Sequence, residues 1–410
     1  MTIAKTIPSS NGTPQPSSQQ YSTAWILLLA LLTSLGPLSI DMYLPALPVM
    51  ANAFGVPTQM VANSLPAYFL GLALGQLIYG PLSDRIGRKP PLYFGLALFS
   101  VASVLCVFAQ NEWSLIAARI LQALGGCVGV VIARAAIRDR LDLQTSAQAF
   151  SSMMIVMTIA PIIAPTLGAW VLQWMNWKAI FAVLACVGVV CLICVHFFFQ
   201  ETLAKQHRLK LNFQQVLTLY SSILKDSNFR MPMLAGCLTG GALFCYISGS
   251  SAVMMNQYGL SETAFAYLFG ANAVGIMLFS TINKKISGKL GVLQRLKLGS
   301  TIQVTGALLL VITGCLPQAN LTWVMLGLFL AVSGIGFTGP NAMALAMAGQ
   351  GARAGTASAV MGSAQFFCGL IGGVLLNFML WSALLNMALL MLLFIGAGML
   401  ATFKIKPDLD

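Results

Sequence analysis

Long uncharged apolar stretches recur along the whole chain, and they restrict the possible folds more than any other feature of the sequence. A helix of about 20 apolar residues is long enough to cross the hydrocarbon core of a bilayer. The composition agrees, since 58% of the 410 residues are hydrophobic and 8% are charged, whereas soluble domains carry about 25% charged residues. The sequence therefore predicts an all-α polytopic membrane protein.

Twelve apolar stretches can be placed, and their spacing indicates two halves. The predicted spans lie near residues 23–50, 59–80, 91–110, 112–136, 147–172, 177–199, 230–256, 262–283, 292–316, 320–347, 354–380 and 382–403. A long polar segment separates the sixth span from the seventh, and the first 22 residues have the Ser-, Gln- and Pro-rich composition of a disordered tail. The predicted division is a tail at 1–22, an N-terminal six-helix bundle at 23–200, a linker at 201–229, a C-terminal six-helix bundle at 230–404 and a tail at 405–410.

The distribution of Lys and Arg predicts the orientation in the membrane. If the N-terminus lies in the cytosol, all of the 22 basic residues except Lys178 and Arg119 fall in cytosolic loops, tails or helix mouths. Cytosolic loops carry an excess of Lys and Arg, so the linker and both termini are predicted to be cytosolic. Because the net charge of +12 is spread over these loops rather than over one soluble face, nucleic-acid binding is not expected.

The linker contains the segment LNFQQVLTLYSSILKD, residues 211–226. Its apolar residues recur at helical spacing, which suits an amphipathic helix lying on the cytosolic membrane surface. A plain tether between the two bundles fits the same segment equally well.

Neither the cysteines nor the histidines indicate a cofactor or a catalytic site. All nine cysteines lie in predicted spans, where thiols behave as small hydrophobic groups. Cys191 and Cys194 have C-x-x-C spacing but no second pair, and the two histidines lie near a helix end and in the linker. The sequence also lacks nucleotide-binding and metal-binding motifs. We therefore expect no cofactor, no metal, an ion gradient as the energy source, and neither an intramembrane enzyme nor a receptor.

Two charged residues, Asp41 and Arg119, fall deep within predicted spans. Asp41 is the only Asp or Glu well inside a span, and Arg119 is the only deeply placed basic residue. An ionised side chain at the bilayer centre costs about 3 kcal/mol or more, so such residues mark function. Counting along each helix puts Asp41 about 27 Å from the cytosolic side and Arg119 about 10 Å from the outer side. Both are predicted in the outer half of the membrane, where pairing between them is geometrically allowed.

The loop GPLSDRIGRKP, residues 80–90, places four charges within six residues between the second and third spans. Gly80 and Gly87 permit a tight turn. Positive charges alone would set the topology, but the acid Asp84 stands among them and requires a specific partner. The candidate partners are Arg134, Arg138 and the N-terminus of a nearby helix.

This loop resembles the G-x-L-(S/A)-D-R-x-G-R-(K/R) signature between helices 2 and 3 of the major facilitator superfamily. Three further stretches are similar to motifs of that family in helices 4, 5 and 11. They are RILQALGG at 119–126, with Ala123 in place of a common Gly, APIIAPTLGAW at 160–170 and GTASAVMGSAQF at 355–366. In the second half, the counterpart of the charged loop, NKKISGKLG at 283–291, is basic and lacks the Asp.

Within the superfamily, IDMYLPALP at 40–48 and ARAAIRD at 133–139 look most like the Bcr/CflA branch of drug/proton antiporters. The resemblance implies the major facilitator fold, twelve transmembrane helices in two pseudo-symmetric six-helix bundles, in the cell inner membrane. It implies proton-coupled efflux of small drugs such as amphenicol- or bicyclomycin-like antibiotics by alternating access, and a proton-coupled importer of a small nutrient is the alternative. The expected partners are a small-molecule drug, protons and the lipid bilayer, with the chain acting as a monomer.

The resemblance also assigns roles to particular residues. Asp41 is expected to carry the proton and Arg119 to tune it, because burial disfavours a charged carboxylate while a nearby guanidinium favours it. A permanent ion pair that only locks helices 1 and 4 together is the alternative. The gating motif comprises Gly80, Asp84, Arg85, Gly87, Arg88, Arg134, Arg138 and Asp139. The motif residues of helices 5 and 11 are Pro161, Pro165, Gly168, Gly355, Gly362 and Gln365.

Polar and aromatic positions within the spans are candidates for a substrate cavity, although each also fits ordinary helix packing. They are Tyr43, Tyr68, Met157, Phe244, Asn272, Asn341 and Gln365. Some exporters of this kind carry a second carboxylate in helix 1 that helps with cationic drugs, where this chain has Thr33. A neutral or zwitterionic substrate is therefore expected.

Overall fold

The computed structural model describes residues 23–141, 143–208, 213–350 and 353–406, and every regular element in this part of the chain is helical. The helices, numbered in chain order, are α1 Thr23–Asp41, α2 Leu47–Phe54, α3 Thr58–Ala62, α4 Ser64–Ile86, α5 Lys89–Val107, α6 Glu112–Arg140, α7 Leu143–Trp174, α8 Lys178–Phe198, α9 Phe213–Lys225, α10 Ser227–Ser251, α11 Glu262–Lys285, α12 Val292–Gly314, α13 Leu321–Ser333, α14 Ile335–Met347, α15 Ala354–Leu375 and α16 Ala383–Phe403. The all-α prediction is confirmed. The tail predicted at 1–22 and the end of the tail at 405–410 lie outside the described residues.

Each predicted span corresponds to one helix or to consecutive helices. In the described part of the chain, 11 helical stretches are long and apolar enough to cross a membrane, and α7, whose apolar stretch Ile159–Trp174 is shorter, occupies the remaining predicted span. The first span is interrupted, because α1 ends at Asp41 and a 3-10 turn precedes α2. Pro45 and Pro48 stand within the first two positions of that turn and of α2, where proline costs a helix no hydrogen bond.

Glycines on α6 and α7 let both helices pack closely against the first span. A Cβ added at Gly129 of α6 would overlap the backbone carbonyl of Leu32, and one added at Gly168 of α7 would overlap that of Met42. Helices in lipid associate through close packing, which small residues allow. Gly168, a residue of the predicted helix 5 motif, therefore lets α7 approach the chain directly after Asp41.

Helices α1–α8, the first half, meet helices α10–α16, the second half, along two pairs: α4 with α15 and α7 with α11. Polar side chains join the halves just beyond the ends of the α4–α15 pair and within the α7–α11 pair. Asn377 hydrogen-bonds Asn63 over 2.6 Å and Gln59 over 2.8 Å. Gln173 Nε2 donates to Thr263 Oγ1 over 3.0 Å. Each half contributes six of the predicted spans. A residue near either of these two helix pairs changes its contacts when one half moves against the other.

The segment between the halves contains a helix, α9, that contacts both of them. The Tyr220 hydroxyl donates to the carbonyl of Leu77 in α4 over 2.9 Å. Ile223 is buried in a cluster with Phe229 of α10, while Leu217 remains exposed. Helix α9 is therefore packed against both halves, and its position on the cytosolic membrane surface stays a prediction.

Candidate functional site

Asp41 is the last residue of α1, and its side chain is only 3% exposed. Its Oδ1 atom is buried and has no hydrogen-bond partner in the part of the chain that the structure describes. A charged carboxylate in such a place is costly, because burial removes it from bulk water and no cation among the described residues pairs with it. The environment therefore suits an uncharged, protonated acid.

Arg119 of α6 is fully buried among aromatic rings and neutral acceptors. Its guanidinium carbon lies 4.3 Å from the ring centre of Tyr43 and 4.1 Å from that of Tyr68, which are favourable cation–π distances. Nη1 donates to Gln122 Oε1 over 2.5 Å, and Nη2 donates to the Ser39 carbonyl over 2.8 Å. Among the described residues, this cation has no carboxylate partner.

The structure links Asp41 and Arg119 through the backbone and not through an ion pair. Arg119 binds the carbonyl of Ser39, which precedes Asp41 by two residues. The last carbonyls of a helix lack partners within the helix, so this contact holds the end of α1 in place. The permanent ion pair considered as the alternative role for these two residues is absent from the described residues of this structure.

A tyrosine of the second half, Tyr246 of α10, lies close enough to Asp41 to interact with it electrostatically. Its ring stacks on Phe269 of α11 with centroids 5.1 Å apart. Its hydroxyl oxygen accepts a hydrogen bond from Asn272 Nδ2 over 2.9 Å. The Asn272 Oδ1 atom is buried and lacks a partner within the described chain. Asn272 is one of the predicted cavity residues, whereas nothing in the sequence singles out Tyr246.

The other predicted cavity residues take part in packing contacts. Tyr43 and Tyr68 flank Arg119, as described above. Phe244 packs against rings from both halves, and Asn341 hydrogen-bonds within the second half. Gln365 lies against a glycine of α10. The side chain of Met157 lies outside the described residues.

The charged loop forms a cluster of ion pairs centred on Arg88, whose side chain is 6% exposed. Arg88 contacts Asp84 over 2.5 Å and Asp139, near the end of α6, over 2.8 Å. Burial lowers the pKa of Arg88, but the hydrogen bonds and charges of Asp139 and Asp84 outweigh burial and raise the pKa overall. We call these three side chains the latch.

The ion-pair partner of Asp84 among the described residues is Arg88, which was not among the predicted candidates Arg134, Arg138 and a helix N-terminus. The reason lies in the turn at Gly87, whose φ of 101° is rarely adopted by residues with a side chain. This turn separates α4 from α5 by so few residues that Asp84 and Arg88 meet without a third helix. Of the remaining gating-motif residues, Arg85 is exposed and Gly80 has open space beside it.

The helix 5 and helix 11 motif residues lie at contacts between helices. Pro161 and Pro165 stand inside a continuous α7. A Cβ added at Gly355 of α15 would come within 2.5 Å of Arg138 Nη1. Gly362 makes room in the same way for Gln76 of α4. The two glycines of the α15 motif therefore face the first half, and the first of them adjoins the charged end of α6.

Glu201, which follows α8, joins the latch and was missed in the sequence. Its carboxylate accepts backbone hydrogen bonds from Arg88 over 2.8 Å and from Lys89 over 3.2 Å, at the start of α5. The next residue, Thr202, donates to Asp139 over 2.9 Å. Burial raises the pKa of Glu201, but these backbone donors and Arg208 outweigh burial and lower the pKa overall. The only sequence signal is an isolated acid directly after an apolar span.

Glu201→Gln is expected to destabilise the protein by about 1 kcal/mol at neutral pH, because an amide is a weaker cap for the first amides of α5. A lowered pKa stabilises the fold above the ordinary pKa of glutamate, and this contribution is lost as the pH falls through the lowered value. Thermal unfolding in detergent should therefore show a gap between variant and wild type that closes on acidification. Glu112→Gln is the control, and a gap that persists in acid would contradict the carboxylate's role.

Two packed halves of membrane-length helices, with a buried acid in the first, are typical of secondary transporters. The sequence model described as Major Facilitator Superfamily matches residues 29–373. The chain therefore belongs to the major facilitator superfamily. Among solved structures, a D-xylose–proton symporter has a TM-score of 0.72 at 15% identity and covers 94% of this chain and 98% of its own. That likeness shows the fold.

Relatives of similar length support the branch inferred from the motifs. A bicyclomycin resistance protein homolog of Haemophilus influenzae is 30% identical over 87% of this chain and 90% of its own. A chloramphenicol resistance protein of Pseudomonas aeruginosa is 31% identical over 88% of this chain and 84% of its own. An uncharacterized MFS-type transporter of Bacillus subtilis, YdgK, is 34% identical over 85% and 87% respectively. The resemblance to the Bcr/CflA-like branch is confirmed.

Proposed function

We propose that the protein exports small drugs across the cell inner membrane in exchange for protons. The observation that carries this proposal is Asp41, which is buried at the end of α1 near Tyr246 of the other half and whose Oδ1 atom has no partner in the described chain. Such an acid is stable when neutral in a closed site and can ionise when the site opens to water. Relatives named for resistance to chloramphenicol and bicyclomycin support drugs as the substrate class.

In the proposed cycle, the two halves rock about a central site and expose it to either side in turn. Asp41 takes up a proton from outside and releases it to the cytosol, and drug and proton occupy the site alternately. Arg119 supports this step by fixing the end of α1 through Ser39. Both termini lie in the cytosol in this proposal, which follows the distribution of basic residues.

The latch closes the cytosolic gate in the proposed cycle. Arg88 joins the start of α5 to the ends of α4 and α6, and Arg138 of α6 adjoins the start of α15. Charged side chains at these ends can separate from their partners when water enters, because exposed ion pairs contribute little stability. Closing excludes water and restores the pairs, so the latch favours one gate position without fixing it permanently.

The substrates that we propose are neutral or zwitterionic. Thr33, which stands two turns before Asp41 in α1, is fully buried, and its hydroxyl donates to the carbonyl of Ala30 over 2.8 Å. A hydroxyl satisfied by its own helix offers no charge to a cationic drug. Chloramphenicol, which is neutral, should therefore be transported in preference to the cation ethidium.

The proposal is tested with labelled chloramphenicol and everted membrane vesicles from an efflux-deficient bacterial host. With the lumen acidified, vesicles that contain the protein are expected to accumulate the drug, and a protonophore is expected to release it. Vesicles without the protein are the control, and ethidium in place of chloramphenicol tests the substrate class. Accumulation of chloramphenicol by intact cells, above cells without the protein, would instead indicate an importer.

A further inference from the structure

We infer that Asp41, once protonated, hydrogen-bonds across the interface between the halves to the pair Tyr246 and Asn272. This makes Tyr246 and Asn272 positioning residues for the proton, and the inference rests on the proposed function. Through this hydrogen bond, α10 and α11 of the second half respond to the proton that α1 of the first half carries.

Asp41, Asn272 and Tyr246 are all buried, and each has a hydrogen-bonding group that the contacts of the described residues leave unused. Asp41 and Asn272 are 3% and 1% exposed, and each has a buried oxygen atom, Oδ1, with no partner among the described residues. Tyr246 lies near enough to Asp41 for the Asp41 charge to act on it, and its hydroxyl already accepts from Asn272 Nδ2. The Tyr246 hydroxyl donates no hydrogen bond among the described residues. Buried polar atoms without partners are rare, and each calls for an explanation.

A count of donors and acceptors shows which form of Asp41 completes the group. A protonated carboxyl has one O–H donor, whereas the ionised form only accepts. The proton on Asp41 can be donated to Asn272 Oδ1, while Tyr246 donates its hydroxyl proton to the other carboxyl oxygen. Together with the bond from Asn272 to Tyr246, these contacts form a closed ring in which each buried polar atom has a partner. Loss of the proton leaves Asn272 Oδ1 unmatched beside a negative charge.

The charged groups around Asp41 and the Tyr43 hydroxyl have other partners, while the buried Tyr68 hydroxyl has none among the described residues. Arg119 of α6, between the rings of Tyr43 and Tyr68, donates to Ser39 and Gln122. Lys178 of α8 lies over the ring of Trp177. The Tyr43 hydroxyl bonds Ser64 over 3.0 Å. The neutral amide of Asn272, bonded to Tyr246 and with Oδ1 unused among the described residues, is thus the acceptor that we assign to the Asp41 proton.

The consequence is a contact between the halves that exists only while the proton is bound. Protonation ties α1 to α10 and α11, and deprotonation releases them. The halves would therefore prefer a closed arrangement with the proton bound, and a change of protonation would bias the gate directly. A ligand or proton shifts such an equilibrium only through contacts that differ between its two states, and this ring is such a contact.

The test removes the acceptor and measures proton binding without any drug. Infrared difference spectroscopy of the purified protein detects the carbonyl band of a protonated carboxyl, and the band that disappears in Asp41→Asn belongs to Asp41. Asn272→Leu keeps the size of the side chain but has no acceptor. We expect the midpoint of the Asp41 band's titration in this variant to lie about one pH unit lower than in the wild type. This shift corresponds to about tenfold weaker proton binding. Asn272→Ala provides the same loss of acceptor should leucine prevent folding.

Asn386→Leu is the matched control, because Asn386 is a buried amide of α16 that bonds Met379 and Trp381. Its band should titrate as in the wild type. If the band in both Asn272 variants also titrates as in the wild type, the inference is wrong, although Asp41 can still carry the coupled proton. If Asp41→Asn retains transport driven by a pH gradient, the proposed function itself fails, whatever the titration shows.

Discussion

Asp41→Asn is expected to reduce proton-driven chloramphenicol transport to the background of vesicles without the protein, while the protein stays folded. Asparagine has nearly the same shape but neither binds nor releases a proton, so the exchange loses its coupling step. The fold tolerates the change because Asp41 Oδ1 has no hydrogen bond to lose in the described chain and a neutral amide costs less to bury than a carboxylate. The unfolding temperature in detergent should be unchanged or raised.

Two transport measurements separate coupling from drug binding in this variant. Uptake into vesicles with an acidic lumen requires the proton, whereas counterflow, the exchange of labelled for unlabelled drug without a gradient, does not. We expect Asp41→Asn to lose the first and keep the second. Glu262→Gln, at the first residue of α11, should keep both. Gradient-driven uptake by Asp41→Asn at the wild-type level would show that another group carries the proton.

The spans were predictable because a chain in lipid must satisfy its backbone hydrogen bonds internally, so apolar length alone locates the helices. The interruption after Asp41 was not predicted, since the first span was placed continuously over residues 23–50. Prolines give no unique signal for such a break. Pro45 and Pro48 follow the break, at the starts of the 3-10 turn and of α2, yet Pro161 and Pro165 lie inside a continuous α7.

Contacts between helices were harder to predict than the helices themselves. A helix that is apolar on all sides has no stripe that reveals which face is buried, because lipid and protein interior are equally apolar. The meeting of Tyr246 with Asn272 depends on how α10 and α11 are rotated about their axes, which the sequence pattern leaves open. The role of Glu201 depends in turn on the path of the chain after α8.

Counting residues along each helix put Arg119 and Asp41 within reach of each other, and Arg119 does bond Ser39, two residues before Asp41. The count could not decide between the carbonyl of Ser39 and the carboxylate of Asp41. Two residues along a helix correspond to a rotation of about 200° but a rise of only about 3 Å. Residues at almost the same depth can therefore point to different neighbours, and a count of residues does not distinguish them.

Arg119→Lys is expected to destabilise the protein by about 3 kcal/mol and to reduce transport strongly, although the charge is kept. Lysine is a compact point charge without a planar group. It cannot lie between the rings of Tyr43 and Tyr68 and also donate in two directions to Ser39 and Gln122, and each buried bond to a charged group contributes about 1.5–3 kcal/mol. Thermal unfolding and gradient-driven uptake measure the two effects. The exposed Arg353, changed to Lys, should show neither.

A double-mutant cycle with Asp41→Asn and Arg119→Met separates backbone anchoring from an ion pair. If Arg119 acts by holding the Ser39 carbonyl, its loss costs the same whether residue 41 is acid or amide. The two changes in unfolding free energy should then add to within about 0.5 kcal/mol, as expected for groups that share no direct contact. A permanent ion pair makes a different prediction, because losing both charges together removes the penalty of leaving one unpaired. If the two residues form an ion pair, adding Asp41→Asn to Arg119→Met should raise the unfolding free energy by more than Asp41→Asn does alone. That result, in a double variant that still transports drug, would establish the ion pair.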